Sequence, residues 1–377
     1  MSLLGTIRHW FFYYPLGLLI LCGAAVVLFA CNPLLFPFVV AYILYVIFMG
    51  DPTFAELQAW SAIRHATRWP TPDLTSAFPV VGAGNLPPLT RPCLYTFHPH
   101  GLINASRAIH TIDHRSSLYV HLMNAYHAVH SGFFHIPFLR EVMLYGGCIP
   151  ATYRYMDWAV EQGSSVTLTP GGAREVQYAQ EGTNREVWLL RNRKGFVRFA
   201  KRHGLPIVPL YSAGEQELFT YSNGWFGQSM RWLSGAVRGI TGLTVDFNIL
   251  QAFSPRNLWQ WAAAQDTERA LTTTYVCSPI ETSADVASAE VTEGTGETGE
   301  TERAETESTR RTGRERQEPP SVETLQEQLL QKLQEARRLA ASQSDRSHTF
   351  RSLSLQGATG KAKSFPVGSS FRRLSIH

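Results

Sequence analysis

The chain has 377 residues, a formal charge of +4 and 17% charged residues, against about 25% in an ordinary soluble domain. That length holds one large domain or two. Five cysteines (Cys22, Cys31, Cys93, Cys148 and Cys277) form no CxxC pair and no even-numbered framework, which excludes a disulfide scaffold and points to a reducing, cytosol-facing environment.

The charge deficit is concentrated at the amino end. From His9 to Gly50 there is no Asp, Glu, Lys or Arg, a run of 42 residues. As helix it reaches about 63 Å, twice a hydrocarbon core of about 30 Å. Asn32-Pro33 lies near the midpoint and Pro37 follows. The reading is a transmembrane or re-entrant helical hairpin over roughly 10–31 and 34–50, with 1–50 as a membrane anchor. A secretory signal has an apolar region of about 7–15 residues before its cleavage site. This run is longer and continues into a second one, so the anchor is expected to be retained.

Residues 51–90 form a connector rich in Pro and Trp, and 91–280 carry the compact unit, so 51–280 is read as the main domain. Strands are predicted at Leu94–Phe97, Leu118–His121, Ser165–Leu168 and Ile207–Tyr211. Helices are predicted at Tyr155–Gln162 and Val187–Arg202. This alternation predicts an α/β fold, a mixed sheet covered by helices. Residues 281–307 then hold nine acids and one Arg among Thr, Ser and Gly, too few apolar groups to fold, so 281–320 is expected to be disordered. Val322, Leu325, Leu329, Leu333 and Ala336 make one apolar stripe, predicting an amphipathic helix over 321–342 that docks on the domain or meets a partner. Residues 343–377 form a basic tail that is expected to be disordered. Its Arg351-Ser352-Leu353-Ser354 and Arg372-Arg373-Leu374-Ser375 resemble sites of basic-directed kinases. Such a tail can touch anionic lipid and be released by phosphate, or simply be solvated.

Three elements carry candidate chemistry. His98-Pro99-His100-Gly101 closes a predicted strand. A histidine there, with unhindered backbone beside it, suits a base that takes a proton from a hydroxyl; His98 and His100 are both candidates, and Gly101 opens space beside His100. Eight histidines fall between His98 and His135, but no HExxH motif or complete set of paired-histidine boxes is present, so no metal is assigned. The second element is Thr169-Pro170-Gly171-Gly172-Ala173-Arg174-Glu175. Gly171 and Gly172 make a tight turn whose N–H groups can face an oxyanion, and Glu175 can orient an imidazole. A plain turn with Glu175 as a helix cap is the bland alternative. Third, seven basic residues and one acid lie between Arg185 and Arg202. Arg191, Arg193 and Lys194 suit the phosphates of coenzyme A, and a solvated or headgroup-facing helix is the alternative.

The chain resembles the type-2 diacylglycerol acyltransferase family, which includes monoacylglycerol and wax-alcohol acyltransferases. The resemblance rests on five blocks in order: Phe97–Gly101; Pro137–Glu141 with Gly146–Pro150; Gly171–Glu175; Leu190–Phe196; and Val208–Ser212 with Gly214-Glu215. It weakens after Gly242, where Tyr275–Ile280 reads as a remnant strand with Cys277 where glycine is usual. The resemblance implies a glycerolipid-acyltransferase-like sheet and an endoplasmic reticulum enzyme facing the cytosol, or one at lipid droplets. It implies acyl-CoA as substrate with no other cofactor, and a neutral lipid acceptor, by default diacylglycerol, with monoacylglycerol, fatty alcohol or sterol as alternatives. It implies the His-Pro-His-Gly block as active site with Glu175 beside it. The local His-x4-Asp pairing of many glycerolipid acyltransferases is absent, because Ile103 and Ala105 stand where the aspartate would be. Membrane lipids are expected partners, nucleic acid is not, and a homo-oligomer is compatible with the sequence. The reading from another class is a catalytically silent lipid-surface protein.

Overall fold

The computed structural model describes residues 32, 34–67, 73–172, 175, 189–219, 224–241, 270–283 and 319–358. The first hairpin arm, most of the acidic segment and the end of the basic tail lie outside these residues. Seven strands form one sheet in the order β1-β7-β6-β2-β5-β3-β4. They are β1 (Val80–Val81), β2 (Leu94–His98), β3 (Ala125–Val129), β4 (Cys148–Pro150), β5 (Ser165–Leu168), β6 (Ile207–Ala213) and β7 (Thr273–Val276). All neighbours are parallel except β6 and β7, so the expected mixed α/β sheet is what forms.

The centre is β6-β2-β5. Leu94 pairs with Val166 on one side and Ile207 on the other, and all three are fully buried. A strand buried on both faces reads as a continuous apolar run, which is why these three were legible. The adjacent residues Tyr95 and Phe97 join Val208, Leu210 and Val276 on the opposite face, packed on Leu118 and Leu122. That last pair corrects one expectation. Leu118–His121 is not a strand; Tyr119–Met123 is a short helix, preceded by helix Ala105–Ile112. Leu118 and Leu122 are four apart and face one cluster, which is helical spacing. The strand comes next, at β3, where His127 interrupts the apolar pattern.

Among the described residues, numbered in chain order, the helices longer than a turn are α1 (Phe36–Met49), α2 (Phe54–Ala66), α3 (Ala105–Ile112), α4 (Tyr119–Met123), α5 (Leu139–Tyr145), α6 (Tyr153–Glu161), α7 (Gly195–His203), α8 (Trp225–Thr241) and α9 (Val322–Ala358). The second predicted helix is thus shorter than expected, with a 3-10 turn at Leu189–Asn192 before α7.

The second hairpin arm exists as α1. Its 14 residues reach about 21 Å, short of the hydrocarbon thickness. Among the described residues no single helix is long and apolar enough to cross a membrane; α1 and α2 are bent by 112° at Gly50–Thr53. Three features fix the elbow. A side chain on Gly50 would collide with the Phe134 carbonyl. Thr53 caps α2 in a reciprocal box with Glu56. Arg140, 4% exposed, donates from Nε to the Gly50 carbonyl (2.9 Å) and pairs with Glu56 at 2.7 Å. Tyr42 adds a hydrogen bond to Glu141 (2.7 Å) and accepts one from the Phe138 N–H (3.0 Å). The block Pro137–Glu141 is therefore the clamp that holds this pair on the domain. Outward from the clamp, Leu34, Phe36, Phe38, Phe48 and Met49 are exposed.

Past the acidic segment, α9 docks as the stripe foretold: Leu325, Leu329, Leu333 and Ala336 are buried. Gln326 donates to the Leu190 carbonyl and Lys332 to Ser278. Residues 337–377 form a separate unit, whose described part is the continuing helix to Ala358.

Candidate active site

In a parallel sheet the loops after the carboxyl ends of adjacent strands meet at one edge, where α/β proteins bind ligands. Here β2, β5 and β6 are adjacent and parallel. Their following loops carry His98-Pro99-His100-Gly101, Pro170–Glu175 and Gly214-Glu215. Two of the expected motifs and one residue that was not singled out thus arrive at the same edge.

The two histidines differ sharply. His98 is the last residue of β2, pairs with Tyr211 across the ladder and is 1% exposed. Its Nε2 is sealed from solvent with no hydrogen-bond partner, and burial pushes its pKa down to about 3. The peptide to Pro99 is cis, and His100 beyond it is only partly buried. The His100 Nδ1 lies 2.9 Å from the Gly101 carbonyl. A carbonyl only accepts, so Nδ1 carries the proton and Nε2 the lone pair. Burial, with a smaller contribution from the Arg107 cation, lowers the His100 pKa to about 4. At neutral pH it is an uncharged acceptor.

Glu175 is 1% exposed, and its Oε2 accepts the main-chain N–H of His100 at 3.1 Å. The motifs alone suggest a bond from this acid to the imidazole ring; the carboxylate instead accepts from the backbone, and the ring is steadied by its neighbour's carbonyl. A side chain at Gly171 would overlap this carboxylate, so the Gly-Gly turn makes room for an acid. The Gly172 N–H donates to the Thr169 carbonyl at 3.1 Å. The expected oxyanion role for that N–H therefore does not hold, because the turn already uses it. Asn104, left-handed at φ 54, donates from its amide to Thr169 Oγ1 and ties the two loops together.

Glu215 closes the last of the five sequence blocks, and no local pattern assigns it a role. It is 1% exposed and lies beneath Gly101 (φ +57), where a Cβ would stand 2.7 Å from Glu215 Cγ. Its oxygens accept the Ala105 N–H (2.6 Å), the Ser106 N–H (3.0 Å) and the Ser106 hydroxyl. It therefore caps α3 from another strand's loop. Burial outweighs these bonds and raises its pKa to about 6. Glycine at 101 is required twice over, by its φ and by this acid.

The remaining candidates lie on other elements. Lys194 pairs with Glu323 of α9 at 2.8 Å, and the Arg193 carbonyl faces Gln326. Part of the basic block is thus joined to the docked helix. The other histidines are tied into the fold: His110 to Ser116 (2.8 Å) and Thr274 (3.0 Å), His121 to Tyr95 (2.9 Å), His127 to Thr167 (2.6 Å). Among the described residues no group of three metal-ligating side chains occurs.

A sealed histidine, an accessible neutral one and two buried carboxylates at the carboxyl edge of a mixed sheet define an α/β protein equipped for proton transfer. The family model for diacylglycerol acyltransferase matches residues 28–285, and the chain belongs to that family. It is 33% identical over 135 residues to diacylglycerol O-acyltransferase 2 of Homo sapiens, covering 34% of each chain. It is 29% identical over 233 residues to 2-acylglycerol O-acyltransferase 3 of Homo sapiens, covering 60% of this chain and 64% of that one. Acyl-CoA wax alcohol acyltransferase 2 of Homo sapiens is 30% identical over 149 residues, covering 37% of this chain and 44% of that protein. The chain thus matches between about a third and two thirds of these relatives' lengths. No solved structure matches it at a significant level.

Proposed function

We propose that this protein transfers a fatty acyl group from acyl-CoA to a lipid hydroxyl, with diacylglycerol as acceptor and triacylglycerol as product. The observation that carries the reading is His100: Nδ1 held at 2.9 Å by Gly101, Nε2 open, backbone gripped by Glu175. The acceptor hydroxyl gives its proton to Nε2 as its oxygen attacks the thioester carbonyl. The carbonyl pair moves onto oxygen, then returns as the carbon–sulfur bond breaks. The departing thiolate takes the proton back from His100, leaving ester and free CoA. General-base help of this kind contributes about 10²–10⁴ in rate. The route requires two substrates and no further cofactor.

The apolar outer surface of α1 supports a re-entrant attachment to the endoplasmic reticulum membrane, with the sheet on the cytosolic side. The names of the relatives support monoacylglycerol and wax alcohols as the competing acceptors. The test supplies radiolabelled acyl-CoA and a panel of diacylglycerol, monoacylglycerol, fatty alcohol and sterol to membranes holding the full chain. Triacylglycerol as dominant product is expected. Label confined to another ester changes the acceptor, and absence of every ester removes the proposed activity.

A further inference from the structure

At the Gly-Gly turn the Gly172 N–H is bound to the Thr169 carbonyl and is not free to receive an oxyanion. A different group is present. Arg107 is the third residue of α3, directly after the Ser106 that Glu215 binds. Its guanidinium makes no hydrogen bond and no ion pair among the described residues. Arg107 is only partly buried, and its nitrogens are absent from the sealed, unpartnered atoms, which include His98 Nε2 and Arg64 Nε. The fork therefore opens onto accessible space.

Its surroundings locate that space. The charge of Arg107 acts on His100, Glu215, His127 and Cys148, which belong to four separate segments of the chain. Glu215 balances the cation at a distance, while its own oxygens are occupied by Ala105 and Ser106. A buried counter-charge that leaves all five N–H donors unused is the arrangement expected of an anion receptor.

We propose that Arg107 receives the oxyanion that forms on the scissile thioester, acting opposite the His100 base. The inference rests on the acyl-transfer reading above. As the acceptor oxygen bonds to the carbonyl carbon, the π pair moves to the carbonyl oxygen, and that negative charge lies against the guanidinium. The same cation disfavours a charged imidazole beforehand, which keeps His100 available as base. Loss of one such donor typically lowers turnover about 10²–10³-fold.

The test compares wild type, Arg107→Gln, Arg107→Lys and His100→Gln in one membrane assay with acyl-CoA and diacylglycerol. Wild-type activity lost in His100→Gln secures the underlying reading first; inactive wild type would fail that reading rather than this one. For Arg107→Gln we expect kcat down about a hundredfold or more, KM for acyl-CoA within threefold, and substantial recovery in Arg107→Lys. The acid limb of kcat/KM should also move to higher pH in Arg107→Gln. His100 is then faced by Glu175 at its main chain and Glu215 beneath Gly101, with the opposing cation gone. A purely structural arginine would lower thermal stability and leave that limb in place. A raised KM with unchanged kcat would overturn the proposal and assign Arg107 to a CoA phosphate, as would recovery of that KM difference when the ester lacks its 3′-phosphate.

Discussion

The carboxyl edge of β2, β5 and β6 and the outer surface of α1 handle polarity in opposite ways. At the edge, two acids that are each 1% exposed are held by main-chain N–H groups and closed over by glycines. On α1, Phe38 is 74% and Phe48 73% exposed. Burying an acid needs several donors to offset desolvation, whereas leaving a phenylalanine outside needs an apolar surrounding. The contrast teaches that one region is arranged to hold charge and the other to present apolar side chains outward, and that Pro137–Glu141 is the piece that ties that apolar helix to the sheet.

The comparison can be broken from either side. At the edge, Gly101→Ala should have the largest effect. The new methyl meets Glu215 and must adopt a left-handed backbone, costing about 1–2 kcal/mol for conformation alone. A shift of about 1 Å in His100 can lower turnover about a hundredfold. Acyl transfer and thermal unfolding measured together check this. Away from the edge, Leu329→Ala removes a wholly buried side chain of α9 and should cost about 2–5 kcal/mol, read by denaturant unfolding. At the elbow of α1 and α2, Arg140→Ala removes the donor to Glu56 Oε1 and to the Gly50 carbonyl, while Thr53 still holds Glu56 Oε2. About 1.5–3 kcal/mol is expected, with protease cleavage appearing first at Gly50–Thr53. If cleavage begins in the sheet instead, the clamp is misassigned.

The last expected effect is on pH. His98, His100 and His110 have pKa values lowered to about 3, 4 and 4 by burial. The unfolded chain takes up protons first as pH falls below 6.5, so stability drops from there toward pH 4. Glu215, raised to about 6, works the other way: its neutral form suits the fold, so stability declines as pH rises from 4.5 to 6. Three histidines against one glutamate give net loss on acidification. Unfolding midpoints between pH 7 and 4 check the direction, and a midpoint that rises on acidification would contradict it.

Much of this was legible in the chain. β2, β5 and β6 are short apolar runs ended by Gly or Pro turns, and the α9 stripe keeps helical spacing over five residues. The His-Pro-His-Gly and Gly-Gly motifs marked the edge. Three things were hidden. His98 and His100 are chemically alike in sequence, and only burial separates them. Glu215 acts through the N-terminus of α3, 109 residues away for Ser106, which no local pattern records. Arg107 has no motif around it in the sequence, and its lack of a partner among the described residues is visible only in three dimensions.

The central claim concerns which imidazole takes the proton. Acyl transfer from labelled acyl-CoA to diacylglycerol should be measured for His100→Gln and His98→Gln at equal amounts of folded, membrane-bound protein. We expect His100→Gln to lose about 10²–10⁴ in turnover, while His98→Gln, changed at a sealed side chain, retains transfer within about tenfold and unfolds more readily. Near-normal transfer by His100→Gln would contradict the account.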